Sequence, residues 1–379
     1  MLPILLIWSS AALMWWLIAL FLTRRIFQTD PSDTSSNSQK LTLFKPLPLF
    51  KTNELPESVR RGLESFIAQL GKNDEILIGA HETNRPSAQS FSDAMRAKYP
   101  AARVRVIFRK ETDRLPNPKI SWQIILAEHA AEGLWLWSDA DIIAPPHFLA
   151  QARRDYASGR ARLWTYPYVI RRVKKAAGML DALFVNAELY PGVLLLGRLK
   201  RVNFALGAAM LFSSRDFYEK VKWPQIGCAL ADDLVLGRLL QPCVLGNIVL
   251  ETAPEEESWR AAFSHYLRWQ KTIRWHRPDG FAGQLLILPV LGWIAWLAFH
   301  PNDIKAWLGL LTVTQIEIFL AALLCCNAGL PLKGKHLPAM EAWVFLRPFV
   351  WILCWLPWPV RWGNQRWSKP SQKDSHSSQ

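Results

Sequence analysis

Leu2 to Thr23 form an apolar run without one charged side chain, and Arg24 and Arg25 follow it at once. A helix needs ~20 apolar residues to cross a bilayer core, so this run sets the first condition on any fold the chain adopts. A secretory signal carries its positive charge ahead of the apolar stretch and small residues at a cleavage site after it. Here the charge comes after the run, and bulky Phe21 and Leu22 stand where cleavage would need small side chains. Residues 1–25 therefore read as an uncleaved transmembrane anchor, and the arginine pair assigns the chain beyond it to the cytoplasm.

The far end repeats the signal. Phe281–Phe299 is a second span candidate, with Trp293 and Trp296 towards its far end, and Ala306–Cys326 is a third, carrying Glu317. Lys333 and Lys335 then fit a return to the cytoplasm. Trp343–Val360 is broken by Arg347-Pro348 and weakened by Pro357 and Pro359, so it reads either as a span or as a re-entrant or interfacial segment. Residues 281–362 thus hold two to three membrane segments, and 363–379 form a polar tail. Glu317 has either a functional task or a partner on another helix. Twenty Trp fit an interfacial belt. A chain that is 50% hydrophobic is neither disordered nor collagen-like. Its five Cys lack metal-ligand spacing, which argues against a disulfide framework or zinc knuckle. The net charge of +14 suits nucleic acid, an anionic membrane or a phosphorylated substrate.

Between the membrane segments, 26–40 is a polar linker rich in Ser, Asp and Thr. Beyond it, Leu41–Phe44, Glu75–Gly79, Val104–Phe108 and Leu134–Trp137 read as short buried strands. Pro56–Leu70, Ser87–Tyr99 and Pro118–Glu132 have helical spacing of apolar residues. The alternation predicts an α/β domain over 41–264 with crossover connections, whose ligand sits beyond the carboxyl ends of the strands.

Three stretches carry candidate chemistry. Leu134–Trp137 opens into Ser138-Asp139-Ala140-Asp141, where Asp139 and Asp141 either share a hard divalent cation (Mg²⁺ or Mn²⁺) or form an Asp-rich turn before a helix. Asp232 and Asp233 open the apolar run Leu234–Leu240, either as a helix-start cap or with one carboxylate as a general base. Residues 265–280 run from His265 through Arg268 and Trp269 to Lys271, Arg274, His276 and Arg277. They read as a juxtamembrane helix drawn to anionic lipid or as a cap over a diphosphate.

In this order, the elements resemble membrane-bound family 2-type glycosyltransferases of GT-A (Rossmann-like) fold, and especially the ceramide glucosyltransferase-like branch, which includes bacterial hopanoid-pathway sugar transferases. Lys45-Pro46-Leu47 resembles the Lys-Pro-Leu that ends the family's first strand. In the segment from Gly79 to Pro86, Glu82 takes the place nearest the family's uridine-holding Asp, and Arg85 stands where a second Asp is usual. Asn117-Pro118-Lys119-Ile120 is similar to the Asn-x-Lys-Val segment, and Asp139-Ala140-Asp141 to the metal-binding Asp-x-Asp. Asp233 matches the catalytic base of the Glu-Asp pair, with Asp232 as its acidic neighbour. His265-Tyr266-Leu267-Arg268-Trp269 matches the (Gln/Arg/His)-x-x-Arg-Trp motif.

The resemblance implies inverting transfer of one sugar from a UDP-sugar donor, UDP-glucose or UDP-N-acetylglucosamine, to a hydroxyl of a ceramide- or hopanoid-like membrane lipid. It implies a divalent-cation cofactor and donor contacts from Lys45, Glu82, Lys119, Asp139, His265, Arg268, Trp269 and Arg274. The protein is expected to be integral to a bacterial inner membrane, with the bilayer and lipid acceptor as partners and no nucleic acid. His265, where processive synthases typically have Gln, favours a single transfer. The alternatives are a processive polysaccharide synthase and a non-enzymatic basic membrane-anchored binding protein.

Overall fold

The computed structural model describes residues 1–24, 39–50, 54–112, 114–253, 258–362 and 365–368. The linker apart from Gln39 and Lys40, and the tail beyond 368, lie outside the described residues. Two units emerge. One gathers the described residues of 1–24, 169–195 and 258–368, the other those of 39–168 and 196–253.

The second unit is a mixed α/β layer structure. Its strands are β1 (Leu41–Pro46), β2 (Glu75–His81), β3 (Arg103–Arg109), β4 (Leu134–Trp137), β5 (Leu163–Thr165), β7 (Met210–Ser213) and β8 (Cys243–Leu245), while β6 (Tyr168–Ile170), outside the main sheet, begins in this unit at Tyr168 and continues into the other. The seven-stranded sheet runs β3-β2-β1-β4-β7-β5-β8. The first four are mutually parallel, β7 is antiparallel to both β4 and β5, and β5 and β8 are parallel. Crossovers carry α2 (Glu57–Ile67), α3 (Arg85–Lys98) and α4 (Pro118–Ala127), and α5 (Phe148–Ala157) comes after β4.

Of the four strands legible in sequence, β1, β2 and β4 lie inside the sheet, where a parallel strand buried on both faces reads as a continuous apolar run, while β3 is an edge strand with exposed arginines between its buried residues. β1 and β4 are buried throughout. Their side chains divide the core: Leu134 and Leu136 join Leu43, Leu63, Ile76 and Ile78 on one face. Trp135 and Trp137 face the other, where Trp137 lies 5.1 Å from Phe212 and 6.1 Å from Phe44, centroid to centroid. Trp122, Trp135, Trp137 and Trp164 are thus buried in this unit. The expected interfacial belt does not account for them.

Strand order reverses between β1 and β4, which pair in the register Leu41↔Leu134 to Phe44↔Trp137. That register puts the chain beyond β1 (Lys45, Pro46) beside the chain beyond β4 (Ser138, Asp139). In open α/β sheets such a switch point is where a ligand crevice forms.

The first unit is helical. It holds α1 (Leu2–Thr23), α6 (Gly178–Leu183) running through a π-turn at Phe184–Leu189 into α7 (Tyr190–Arg198), α11 (Trp259–His276), α12 (Pro278–Gly283), α13 (Pro289–Phe299), α14 (Ile304–Asn327) and α15 (Leu337–Leu353). The sheet unit supplies α8 (Ser214–Lys220), α9 (Trp223–Gly227) and α10 (Asp232–Leu239) between them in sequence. Among the described residues, three helices are long and apolar enough to cross a membrane: Leu2–Thr23, Gly178–Arg198 and Ile304–Asn327.

Two of these match the spans expected from sequence. The third, Gly178–Arg198, falls inside the continuous domain 41–264 that sequence predicts, yet 169–195 pack with the helical unit. The expected span Phe281–Phe299 is not one straight helix. Pro278–Ile287 and Pro289–Phe299 meet at a 58° bend, since Pro289 starts a new helix and cannot continue the old one. Trp343–Val360 resolves into the end of α15, which carries Pro348 inside it, and a short hairpin pairing Val360–Trp362 with Gln365–Trp367. Glu317 has the interhelical partner that one reading gave it: Arg347 Nη1 donates to its Oε2 at 3.0 Å.

Candidate active site

In the sheet unit, α4 begins at Asn117-Pro118-Lys119. Proline at the first helical position needs no backbone donor, and the Asn117 side chain caps the helix by accepting from the N–H groups of Lys119 (3.0 Å) and Ile120 (3.2 Å). The same side chain donates through Nδ2 to Asp232 Oδ1 at 3.2 Å and to the Ala229 carbonyl at 3.1 Å. One buried Asn thereby fixes the start of α4 against the start of α10.

Lys119 lies in the first turn, and its Nζ is 2.6 Å from Asp139 Oδ1 and 3.9 Å from Asp232 Oδ2. Asp233 Oδ2 accepts from the Gly207 N–H at 2.9 Å, and its Oδ1 from Leu234 N–H at 2.8 Å. Gly207 is what lets these groups approach. A Cβ there would lie 2.9 Å from Lys119 Nζ, 3.1 Å from Asp139 Oδ2 and 3.5 Å from Asp233 Oδ2. The Asp233 carboxylate is held by a loop remote in sequence and faces the same space as Lys119 and Asp139.

The electrostatics come from burial and crowding. Burial drives the Asp233 carboxyl up, neighbouring Asp232 adds to it, and its pKa reaches about 7. Asp232 is also raised, by burial first and by Asp139, against Lys119. Burial pulls Lys119 down, but Asp139, Asp232 and Asp233 overcome it, so the ammonium is held above its ordinary range. Three carboxylates around one ammonium leave a formal charge of −3 + 1 = −2 when all are ionised.

Lys45 behaves differently. It is fully buried, and its Nζ donates to Ser138 Oγ at 2.9 Å, to the Asp139 carbonyl at 2.7 Å and to the Ile142 carbonyl at 3.5 Å. The ammonium lies 3.9 Å from the Phe66 ring centroid, and burial pulls its pKa down to about 7 against the raising effect of Asp141 and Asp139. Lys45 thus stands as a post beneath the 138–142 turn.

Asp141 Oδ2 accepts from Thr252 Oγ1 at 2.6 Å. Glu82, in the turn after β2, makes a two-bond pair with Arg85 at 2.5 and 2.9 Å. Among the described residues, no three His, Cys, Asp or Glu side chains are grouped to hold a metal. A cation bound mainly by phosphate oxygens and water needs only one or two carboxylates. Asp139 fits that demand, with 40% of its side chain exposed. Asp232 Oδ2, buried and without a hydrogen-bond partner, and the excess negative charge fit it too.

The cationic-aromatic motif lies on α11 of the helical unit. Its N-cap is Ser258, whose hydroxyl accepts from Ala261 N–H. His265 Nδ1 lies 3.0 Å from Asp181 Oδ2, and its ring is 4.9 Å from that of Trp269, which packs 5.0 Å from Phe184. Tyr266 and Gln270 donate to Glu188 at 3.1 and 3.3 Å. Arg274 donates to the Cys354 carbonyl at 3.0 Å and lies 4.5 Å from the Trp355 ring. These partners belong to the helical unit itself, so Arg274 secures the end of α15.

The family model described as Glycosyl transferase family 21 matches residues 4–369. The chain belongs to glycosyl transferase family 21. This agrees with the ceramide glucosyltransferase-like resemblance carried by its motifs. Among solved structures, S. aureus TarS 1–349 in complex with UDP-GlcNAc is 9% identical, covers 82% of this chain and 92% of its own, and has a TM-score of 0.38. GalNAc-T7 with UDP, GalNAc and Mn²⁺ is 11% identical, covers 70% and 55%, and has a TM-score of 0.40. No curated protein matches the sequence.

In this family 21 chain, the structure gathers Lys119, Asp139, Asp232 and Asp233 in one cluster, sets Lys45 beneath it and turns Asp141 to Thr252. Glu82 joins Arg85, while His265, Arg268, Trp269 and Arg274 lie on α11. Sequence reading missed Gly207, Thr252 and Asp181. The run Ala205-Leu206-Gly207-Ala208-Ala209 just before β7 was the available signal for Gly207, since small residues mark a close backbone approach.

Because Lys45 Nζ is held wholly by the 138–142 turn, Lys45→Met is expected to act on turnover. Loosening Asp139 by about 1 Å should lower kcat by roughly 10²-fold while the donor KM changes little. A raised donor KM with intact kcat would instead restore Lys45 as a direct donor ligand.

Proposed function

We propose that the chain transfers one sugar, with inversion, from a UDP-sugar to a lipid hydroxyl at the cytoplasmic face of a bacterial inner membrane. The sheet unit would be its GT-A catalytic domain, and UDP-glucose or UDP-N-acetylglucosamine its donor. The observation that carries this reading is the meeting of Asp233, Lys119 and Asp139 around Gly207 at the carboxyl ends of the parallel strands.

Asp233 takes the proton from the acceptor hydroxyl as its oxygen forms the new bond to the anomeric carbon. The bond from that carbon to the diphosphate breaks, and the electron pair leaves with the diphosphate. Lys119 offers a fixed ammonium to the leaving group, and Arg268, with Trp269 as a flat wall and His265 held by Asp181, adds positive charge. Glu82 stands for the uridine-holding carboxylate. Asp139, with Asp141, would hold a divalent cation, which when bound neutralises the diphosphate as a Lewis acid. One base and one stabilised leaving group suffice, unlike the carboxylate pair of a glycosidase.

The test offers purified protein UDP-glucose and UDP-N-acetylglucosamine with total membrane lipid and Mg²⁺ or Mn²⁺, followed by lipid mass spectrometry. A product one sugar heavier than its parent lipid, lost on chelation, is expected. A ladder of sugars would make the chain a processive synthase. No glycosylated product with either donor, and no metal-linked UDP binding, would make it a basic membrane-anchored binding protein.

A further inference from the structure

In the sheet unit, the backbone of the turn from Ser138 to Ala144 is fixed at several points. Lys45 holds the Asp139 and Ile142 carbonyls, Ser138 Oγ donates to the Ala208 carbonyl at 2.6 Å, and Ser65 Oγ accepts from the Ala144 N–H at 2.9 Å. Gly62 on α2 lets the turn come close, since a Cβ there would lie 2.5 Å from the Ala140 carbonyl oxygen and 2.9 Å from that of Ile142. With the backbone held, what remains to be set is the direction of the two carboxylates. Lys119 sets that of Asp139. Asp141 Oδ2 accepts from the hydroxyl of Thr252, on β9 (Leu250–Thr252), at 2.6 Å. β9 is itself tied to the turn, because Ile143 and Glu251 exchange backbone hydrogen bonds of 2.8 and 3.0 Å.

We infer that Thr252 is a positioning residue that aims the Asp141 carboxylate at a divalent cation. The inference rests on the cation role proposed above for Asp139 and Asp141. The chemistry of the donor carries it. An ammonium or guanidinium that oriented Asp141 would also neutralise it, whereas a hydroxyl fixes one carboxylate oxygen without adding a positive charge. Threonine is stiff at its first side-chain torsion, and the pairing of β9 with Ile143 sets where its hydroxyl stands. A carboxylate steadied in this way has less rotational freedom to lose when it takes up a metal, which is how groups behind the ligands raise metal affinity.

Full-length protein in detergent with saturating UDP is titrated with Mn²⁺, and free Mn²⁺ is read by electron paramagnetic resonance, so the test needs no turnover. Thr252→Val keeps the shape and removes the hydroxyl, and it should bind Mn²⁺ about 10- to 100-fold more weakly. Thr252→Ser keeps the donor and should bind near the native affinity. The backbone of the turn retains its other holds in both variants, so the midpoint of thermal unfolding should stay in place. Equal Mn²⁺ affinity in Thr252→Val and the native protein would overturn the inference and leave the proposed function standing. A loss in Thr252→Ser as large as in Thr252→Val would do the same, since the hydroxyl would then not be what matters. No Mn²⁺ retained by the native protein would instead overturn the cation role itself, and the inference with it.

Discussion

Asp233→Asn is expected to lower sugar transfer by about 10²- to 10⁴-fold, the range one positioned general base contributes, while nucleotide binding stays near its native strength. Asn has almost the same volume, and its single oxygen can still accept from the Gly207 N–H that holds Asp233 Oδ2 at 2.9 Å. The cleft therefore keeps its tie to Gly207 and loses the proton acceptor together with the bond from the Leu234 N–H to Oδ1. The pH profile gives a second reading of the same residue. Burial and Asp232 raise the native Asp233 pKa to about 7, so the carboxyl is protonated and inactive as a base below that value and ionised above it. Native kcat/KM should then fall about tenfold per pH unit on the acid side of 7 and level off above it. The Asn variant should keep a small residual rate without that acid limb. Rates measured from acid to alkaline pH, beside calorimetric titration with UDP, check both parts. Near-native turnover with the acid limb intact would remove Asp233 from the reaction.

The site is only partly legible in sequence, and the reason differs from residue to residue. β1, β2 and β4 announce themselves because parallel strands inside the sheet are apolar on both faces, β3 at the sheet edge by its apolar residues set between arginines, and Asp139 is found from its place at the end of β4. The identity of Lys45 is equally visible, but its direction is not. Whether a lysine at a strand end faces ligand or supports a turn depends on the Ser138 and Asp139 acceptors of a neighbouring strand. β5, β7 and β8 have three or four residues each, too few for a period of two to declare itself. In 178–198, Asp181, Asn186, Glu188 and Pro191 interrupt a largely apolar run that ends at Arg198. The polar groups that satisfy these acids, His265 for Asp181 and Tyr266, Gln270 and Arg347 for Glu188, come from far along the chain. A buried acid looks like a loop signal until its partner is known.

That dependence on a remote partner sets the other large effect. Arg347→Met is expected to destabilise the helical unit by about 3–5 kcal/mol, the usual penalty when one partner of a buried ion pair is removed. Arg347 is 2% exposed. It lies 3.3 Å from Glu188 Oε1, donates to Glu317 Oε2 at 3.0 Å and to the Ile287 carbonyl at 3.1 Å, and packs against the Trp343 and Trp16 rings. Methionine fills the volume but leaves two carboxylates and a carbonyl without their cation. A lower midpoint of thermal unfolding in detergent, on the order of 10 °C, is the expected readout. Arg347→Lys should recover little, because one ammonium cannot reproduce a planar fork that meets three acceptors. Replacing Glu188, Glu317 and Arg347 together by Leu, Leu and Met should recover more than Lys does, since the unpaired charges disappear with their partner. An unchanged midpoint in Arg347→Met would show that the cluster is not what joins these helices. Glu188 also accepts from Tyr266 and Gln270 on α11, so the same variant should loosen the helix that carries His265, Arg268 and Trp269. Transfer should therefore decline at temperatures below the unfolding transition.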